Sequence, residues 1–126
     1  DTRPYRIPGR DHIKFFEIDM PSIQDYKKKK TENYLGSLQD NVVFIPIDFN
    51  IQTLDAVTAR KGLDFSKAAV FIWEGATPYI TKEAVGNTLL FISKSSSGSI
   101  VLFSYILKSV IEKNSDIEGA NDLDEW

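Results

Sequence analysis

Four short apolar runs punctuate the chain at wide intervals: IKFFEI at residues 13–18, VVFIPI at 42–47, AAVFIW at 68–73 and SIVLFSY at 99–105. Each is rich in β-branched and aromatic residues and is followed by polar or turn residues, which is the composition of a strand. Three of the four lack clean alternation, which predicts strands buried on both faces and hence a parallel sheet covered by helices. Helical spacing fills the intervals, over residues 22–35, 53–61 and 81–93. The last is the best marked, with Thr81 as N-cap, Glu83 in the first turn, and Val85, Thr88, Leu89 and Ile92 on one face. Gly62 is placed to cap the C-terminus of the second.

Strand and helix in strict alternation predict a doubly wound α/β fold with a mostly parallel sheet. In that architecture ligands sit beyond the carboxyl ends of the strands. The first three runs finish in Phe16-Glu17-Ile18-Asp19, Ile47-Asp48-Phe49 and Trp73-Glu74-Gly75, so successive strands each deliver a carboxylate to one rim. A carboxylate at a buried rim is costly unless a cation or a hydrogen-bond donor sits against it. Taken singly, such an acid caps the next helix or faces solvent, and Asp19, just before Met20-Pro21-Ser22, fits that account. Together, the three suit a ligand with ribose hydroxyls, an amino-bearing base and a positive centre.

Composition narrows the chemistry. At 126 residues and 42% hydrophobic, the chain reads as a single α/β domain over 1–126, with 107–126 a frayed or helical tail. There is no cysteine, which removes a thiolate zinc site, a catalytic thiol and disulfides, and no metal is expected. With 15 basic against 18 acidic residues, nucleic acid is not the expected partner, because phosphate binding needs a concentrated basic face. No run approaches the roughly 20 apolar residues of a membrane span, so a soluble, cytoplasmic protein is expected. His12, the one histidine, precedes the first strand at the far rim from the acids and reads as a solvated loop residue rather than a base. Lys27 to Lys30 would spread around a solvated helix, SKSSSG at 93–98 lacks the lysine-bearing helix start of a P-loop, and Phe71 and Trp73 read as core. The acidic stretch 114–125 is expected to be frayed or weakly helical.

Four ordered motifs then carry a resemblance: Asp1-Thr2-Arg3-Pro4-Tyr5-Arg6, Phe16-Glu17-Ile18-Asp19-Met20-Pro21, Ile45-Pro46-Ile47-Asp48-Phe49, and Trp73-Glu74-Gly75-Ala76-Thr77-Pro78-Tyr79-Ile80. Over residues 1–105 the chain resembles the leucine carboxyl methyltransferase-like family of class I S-adenosylmethionine-dependent methyltransferases, in its prokaryotic O-methyltransferase branch. The resemblance implies a Rossmann-like fold, S-adenosyl-L-methionine as cofactor, and a carboxyl or hydroxyl acceptor on a small molecule or a protein. It assigns Asp19 to the cofactor ribose with Glu17 as runner-up, Asp48 and Phe49 to the adenine, and Glu74 to the methionine portion. Tyr79 falls near the reacting centre.

The same resemblance implies that a first strand, its glycine-rich turn and an upstream arginine precede Asp1, and that further strands and a substrate lid follow. The chain is therefore expected to be an internal piece lacking the central strand of its sheet, and inactive alone. Loss of that strand leaves two rows of backbone groups unpaired. Either the strands at 13–18 and 68–73 close on one another, or another chain or segment fills the gap; two open edges would weigh against these strand positions. Two other functions are compatible with the pattern: an inactive binding or interaction module of the same fold, and a phospho-receiver domain with Asp48 as acceptor and Lys108 beyond the last strand. Neither the methyl acceptor nor the oligomeric state is encoded in this pattern.

Overall fold

The computed structural model describes residues 2–59 and 61–112. Asp1, Arg60 and 113–126, which include the acidic stretch expected to fray, lie outside the described residues. In chain order the elements are α1 (Arg3–Arg6), β1 (Phe15–Asp19), α2 (Pro21–Leu35), β2 (Val42–Pro46), α3 (Leu54–Thr58), β3 (Val70–Trp73), a 3₁₀ turn (Thr77–Tyr79), α4 (Lys82–Ser93), β4 (Ile100–Phe103) and α5 (Lys108–Ile111). All four strands form on the apolar runs, β1 continuing one residue past its run to Asp19, and both ladders are parallel. β1 pairs with β2 from Phe15↔Val42 to Asp19↔Pro46, and β3 with β4 from Val70↔Ile100 to Trp73↔Phe103.

These are two separate two-stranded sheets, so direct closure of β1 on β3 does not occur. Backbone parity shows what remains open. Phe15 N–H donates to the Asn41 carbonyl and Ile47 N–H to that of Asp19, so alternate β1 residues point at β2. Phe16 and Ile18 therefore turn their backbone groups to the opposite edge, where no strand of the described residues pairs. Ile100 N–H donates to Ala69 and Ser104 N–H to Trp73, which leaves Val70 and Ile72 facing the open edge of β3 in the same way. Both strands persist with one edge open because each keeps a full ladder on the other.

A shared core joins the two sheets. Ile47, Leu54 and Phe91 are buried, and Ile18 of β1, Phe49, Val57, Leu63, Phe65, Phe71 of β3 and Ile92 pack against them. Phe65 meets the Phe91 ring edge-on at 5.2 Å. An ion pair of 2.6 Å between Lys94 and Asp55 links α4 to α3.

Helix ends follow local chemistry. Thr81 Oγ1 accepts from Ala84 N–H and caps α4, while Pro21 opens α2 and Gly36, with φ of 81°, closes it in the left-handed conformation that favours glycine. α3 ends at Thr58 with Ala59 at the cap, four residues short of Gly62 as a direct C-cap, because the Thr58 hydroxyl bonds back to the Leu54 carbonyl and Lys61 N–H closes a turn on the Thr58 carbonyl. α4 buries Ala84, Thr88 and Phe91 rather than the face through Leu89, which is 41% exposed. The apolar run Leu89 to Ile92 fits either register, and the pocket for the Phe91 ring selects one.

Burial on both faces does not extend to the second sheet: every β4 residue is exposed, and β3 is shielded only at Phe71 and Trp73. The lysine run is also less solvated than its spacing implies. Lys27 turns inward to an ion pair with Glu17 at 2.6 Å, and Lys28 stacks over Phe44. Nearby, the buried Gln24 amide donates from α2 to the carbonyls of Glu17 (2.7 Å) and Ile45 (2.8 Å), pinning the helix across both strands. Gln24→Ala is expected to destabilise the fold by about 2 kcal/mol in urea denaturation; an unchanged midpoint would show that α2 is held by other contacts.

Candidate functional site

The parallel ladders bring the carboxyl ends of β1, β2 and β3 to one rim. There Asp19, Asp48, Phe49, Glu74 and Tyr79 line a cleft of about 280 Å³, which Met20, Asn50, Gly75, Ala76 and Ile80 complete. This lies just under the roughly 300–1,000 Å³ of ordinary small-molecule sites.

Asp19 ends β1, and its Oδ1 accepts from Met20 N–H at 2.8 Å, which fixes the carboxylate at the start of α2. Two residues beyond β2, Asp48 Oδ1 accepts from Asn50 N–H at 2.9 Å in an Asx turn, and its own N–H donates to Gln52 Oε1. Each carboxylate engages one oxygen with a local backbone donor and leaves the other without a protein donor among the described residues. Phe49 is half-buried and packs on the core as well as lining the cleft.

Glu74 follows β3 directly and accepts from Arg3 Nη2 at 3.0 Å. The loop beyond it is held by the end of β4: Gly75 N–H donates to Ser104 Oγ at 2.8 Å, and Thr77 Oγ1 donates to the Ser104 carbonyl at 2.7 Å. Gly75 has φ of 69°, a conformation that favours glycine, and it redirects the chain into the 3₁₀ turn carrying the exposed Tyr79. Thr81 N–H donates to Asn50 Oδ1 at 3.4 Å, tying the loops after β2 and β3 together.

Glu17 is not brought to the cleft; its carboxylate is held by Lys27, with both side chains mostly covered. His12 is exposed in the turn before β1, at the opposite end of the strand. Lys108 lies on α5 and pairs with Glu112 at 3.1 Å. Among the described residues no three His, Cys, Asp or Glu side chains converge closely enough to hold a metal ion, and no helix is long and apolar enough to cross a membrane. The sequence assigns no role to Met20, Asn50, Gly75, Ala76 or Ile80, although all but Ala76 adjoin a residue to which it does. Arg3 belongs to the first of the four motifs, which assigns it no role.

A set of hydrogen-bond-accepting carboxylates at parallel strand ends, beside an aromatic ring, has the chemistry to accept from hydroxyls or an amine or to face positive charge. The family model for leucine carboxyl methyltransferase matches residues 1–93, and the chain belongs to that family. Three curated relatives carry the name "Putative S-adenosyl-L-methionine-dependent methyltransferase". One from Frankia alni is 26% identical over 106 residues, covering 83% of this chain and 38% of its own. One from Mycobacterium avium is 30% identical and one from Mycobacterium tuberculosis 28% identical, each over 91 residues, 72% of this chain and 28% of its own. The chain thus spans about a third of the length of the curated relatives it matches. No solved structure matches it.

Proposed function

We propose that this chain supplies the cofactor cleft of an S-adenosyl-L-methionine-dependent methyltransferase that methylates a carboxylate or hydroxyl oxygen of a small molecule or protein, within a Rossmann-like, doubly wound sheet. The observation that carries this reading is the convergence of Asp19, Asp48 and Glu74 on one cleft from three different strand ends. The donor chemistry fits: Asp19 can accept from ribose hydroxyls, Asp48 from an exocyclic amine with Phe49 against the base, and Glu74 complements an ammonium and a sulfonium. When bound, the cofactor supplies an electrophilic methyl group whose leaving sulfur becomes neutral.

The protein's share is positioning. Asp19 and Asp48, each fixed by a backbone donor, orient the nucleoside, and Phe49 couples that orientation to the core. Tyr79, on the loop pinned by Ser104, stands at the rim where an acceptor approaches. A carboxylate acceptor would need no general base, whereas a hydroxyl would require one.

The test is calorimetric titration of the whole protein with S-adenosyl-L-methionine. Asp48→Asn keeps the oxygen that takes Asn50 N–H but loses a charged acceptor, and is expected to weaken binding roughly ten-fold. Absence of binding by the wild type overturns the reading. Methyl label released by mild base as methanol identifies a carboxyl ester, and base-stable label identifies an ether.

A further inference from the structure

Among the described residues Glu74 is the one cleft carboxylate that an ion pair engages, and its side chain is 62% exposed. A glutamate so placed ranges over several rotamers unless something holds it, and fixing it only when ligand arrives costs affinity. Here it is held. Arg3 reaches it from 71 residues away in sequence, with Nη2 donating to Oε2 at 3.0 Å, and the arginine side chain is itself only 28% exposed. The next residue, Pro4, is buried, so the backbone carrying Arg3 is anchored against the body of the fold.

The contact engages Oε2. A carboxylate offers two oxygens and about four acceptor positions, so Oε1 of this cleft-lining residue keeps acceptor positions for a ligand. Of the three acids lining the cleft, Glu74 is the one joined to α1 among the described residues; Asp19 and Asp48 take their donors from their own loops. The segment before β1 and the segment after β3 are thereby coupled at the site.

We propose that Arg3 is a positioning residue of the cleft: it sets the Glu74 carboxylate in advance so that the free oxygen meets the positively charged part of the ligand. The inference rests on the cofactor reading above. It assigns Arg3 no contact with the ligand, only an effect exerted through Glu74. Ion pairs this exposed contribute little to folding stability, so the effect falls on affinity and not on the thermal midpoint.

The test titrates S-adenosyl-L-methionine into the whole protein carrying Arg3→Gln, Arg3→Lys, Glu74→Gln or the Arg3→Gln/Glu74→Gln pair, with thermal unfolding alongside. Arg3→Gln is expected to raise Kd roughly five-fold, with Arg3→Lys restoring part of the loss and the unfolding midpoint unchanged. In the Glu74→Gln background Arg3→Gln should add nothing, because an effect transmitted through one partner disappears with it. A Kd unaffected by Arg3→Gln, or an equal loss in the presence and absence of Glu74, overturns the role of Arg3 while leaving the cofactor reading intact. A wild-type protein that does not bind the cofactor overturns both.

Discussion

Phe91→Ala is expected to remove about 3–5 kcal/mol of folding stability, the usual cost of emptying a buried aromatic position. Phe91 is 1% exposed, meets Phe65 edge-on, and lies in a cluster that receives residues from β1, β3, α3 and α4. Since the two sheets do not pair with each other, this cluster is what relates them, and neither ladder can take over its role. Against a typical total of about 5–15 kcal/mol, the loss is a large share of the margin and nearly all of it at the lower end. Urea denaturation followed by far-ultraviolet circular dichroism measures it, with Phe91→Leu as a milder control of about 1–2 kcal/mol. A loss below 1 kcal/mol for the alanine variant would show that the cluster does not bear the fold.

Asp19→Ala is expected to weaken S-adenosyl-L-methionine binding about 100-fold, equivalent to about 2.7 kcal/mol. A carboxylate facing two vicinal hydroxyls makes two charge-assisted hydrogen bonds, each worth about 1.5–3 kcal/mol. Part of that is recovered by water. Asp19→Asn separates binding from local structure, because its amide oxygen still accepts from Met20 N–H, the contact seen at 2.8 Å. The asparagine variant should therefore keep the thermal midpoint of the wild type and still bind about ten-fold more weakly. Calorimetry on the whole protein reads both, and wild-type affinity in the alanine variant would remove Asp19 from the site.

The strand positions and the acidic rim were legible because they depend on local composition and on a direction rule. Val42 to Ile47 is apolar in any context, and parallel order carries Asp19, Asp48 and Glu74 to the same end whatever packs around them. Features set by distant neighbours were not legible. Glu17 and Asp19 are equivalent by alternation, and only Lys27 on α2 separates them by drawing Glu17 away. The buried face of α4 depends on where the Phe65 ring lies. α1 is four residues carrying a proline, too short to announce itself by periodicity, and its Arg3 finds Glu74 across 71 residues. The exposure of β4 likewise depends on which elements cover it, and no spacing within Ile100–Phe103 reports that.

The unpaired edges of β1 and β3 have a consequence for handling the chain in isolation. Phe16, Ile18, Val70 and Ile72 present backbone donors and acceptors without a strand against them among the described residues, and Leu102 and Phe103 of β4, with Tyr105 just beyond it, are exposed. Such edges template addition of like strands from other copies. Expressed with these boundaries, the polypeptide would be driven toward aggregation, with concentration rather than temperature as its governing hazard.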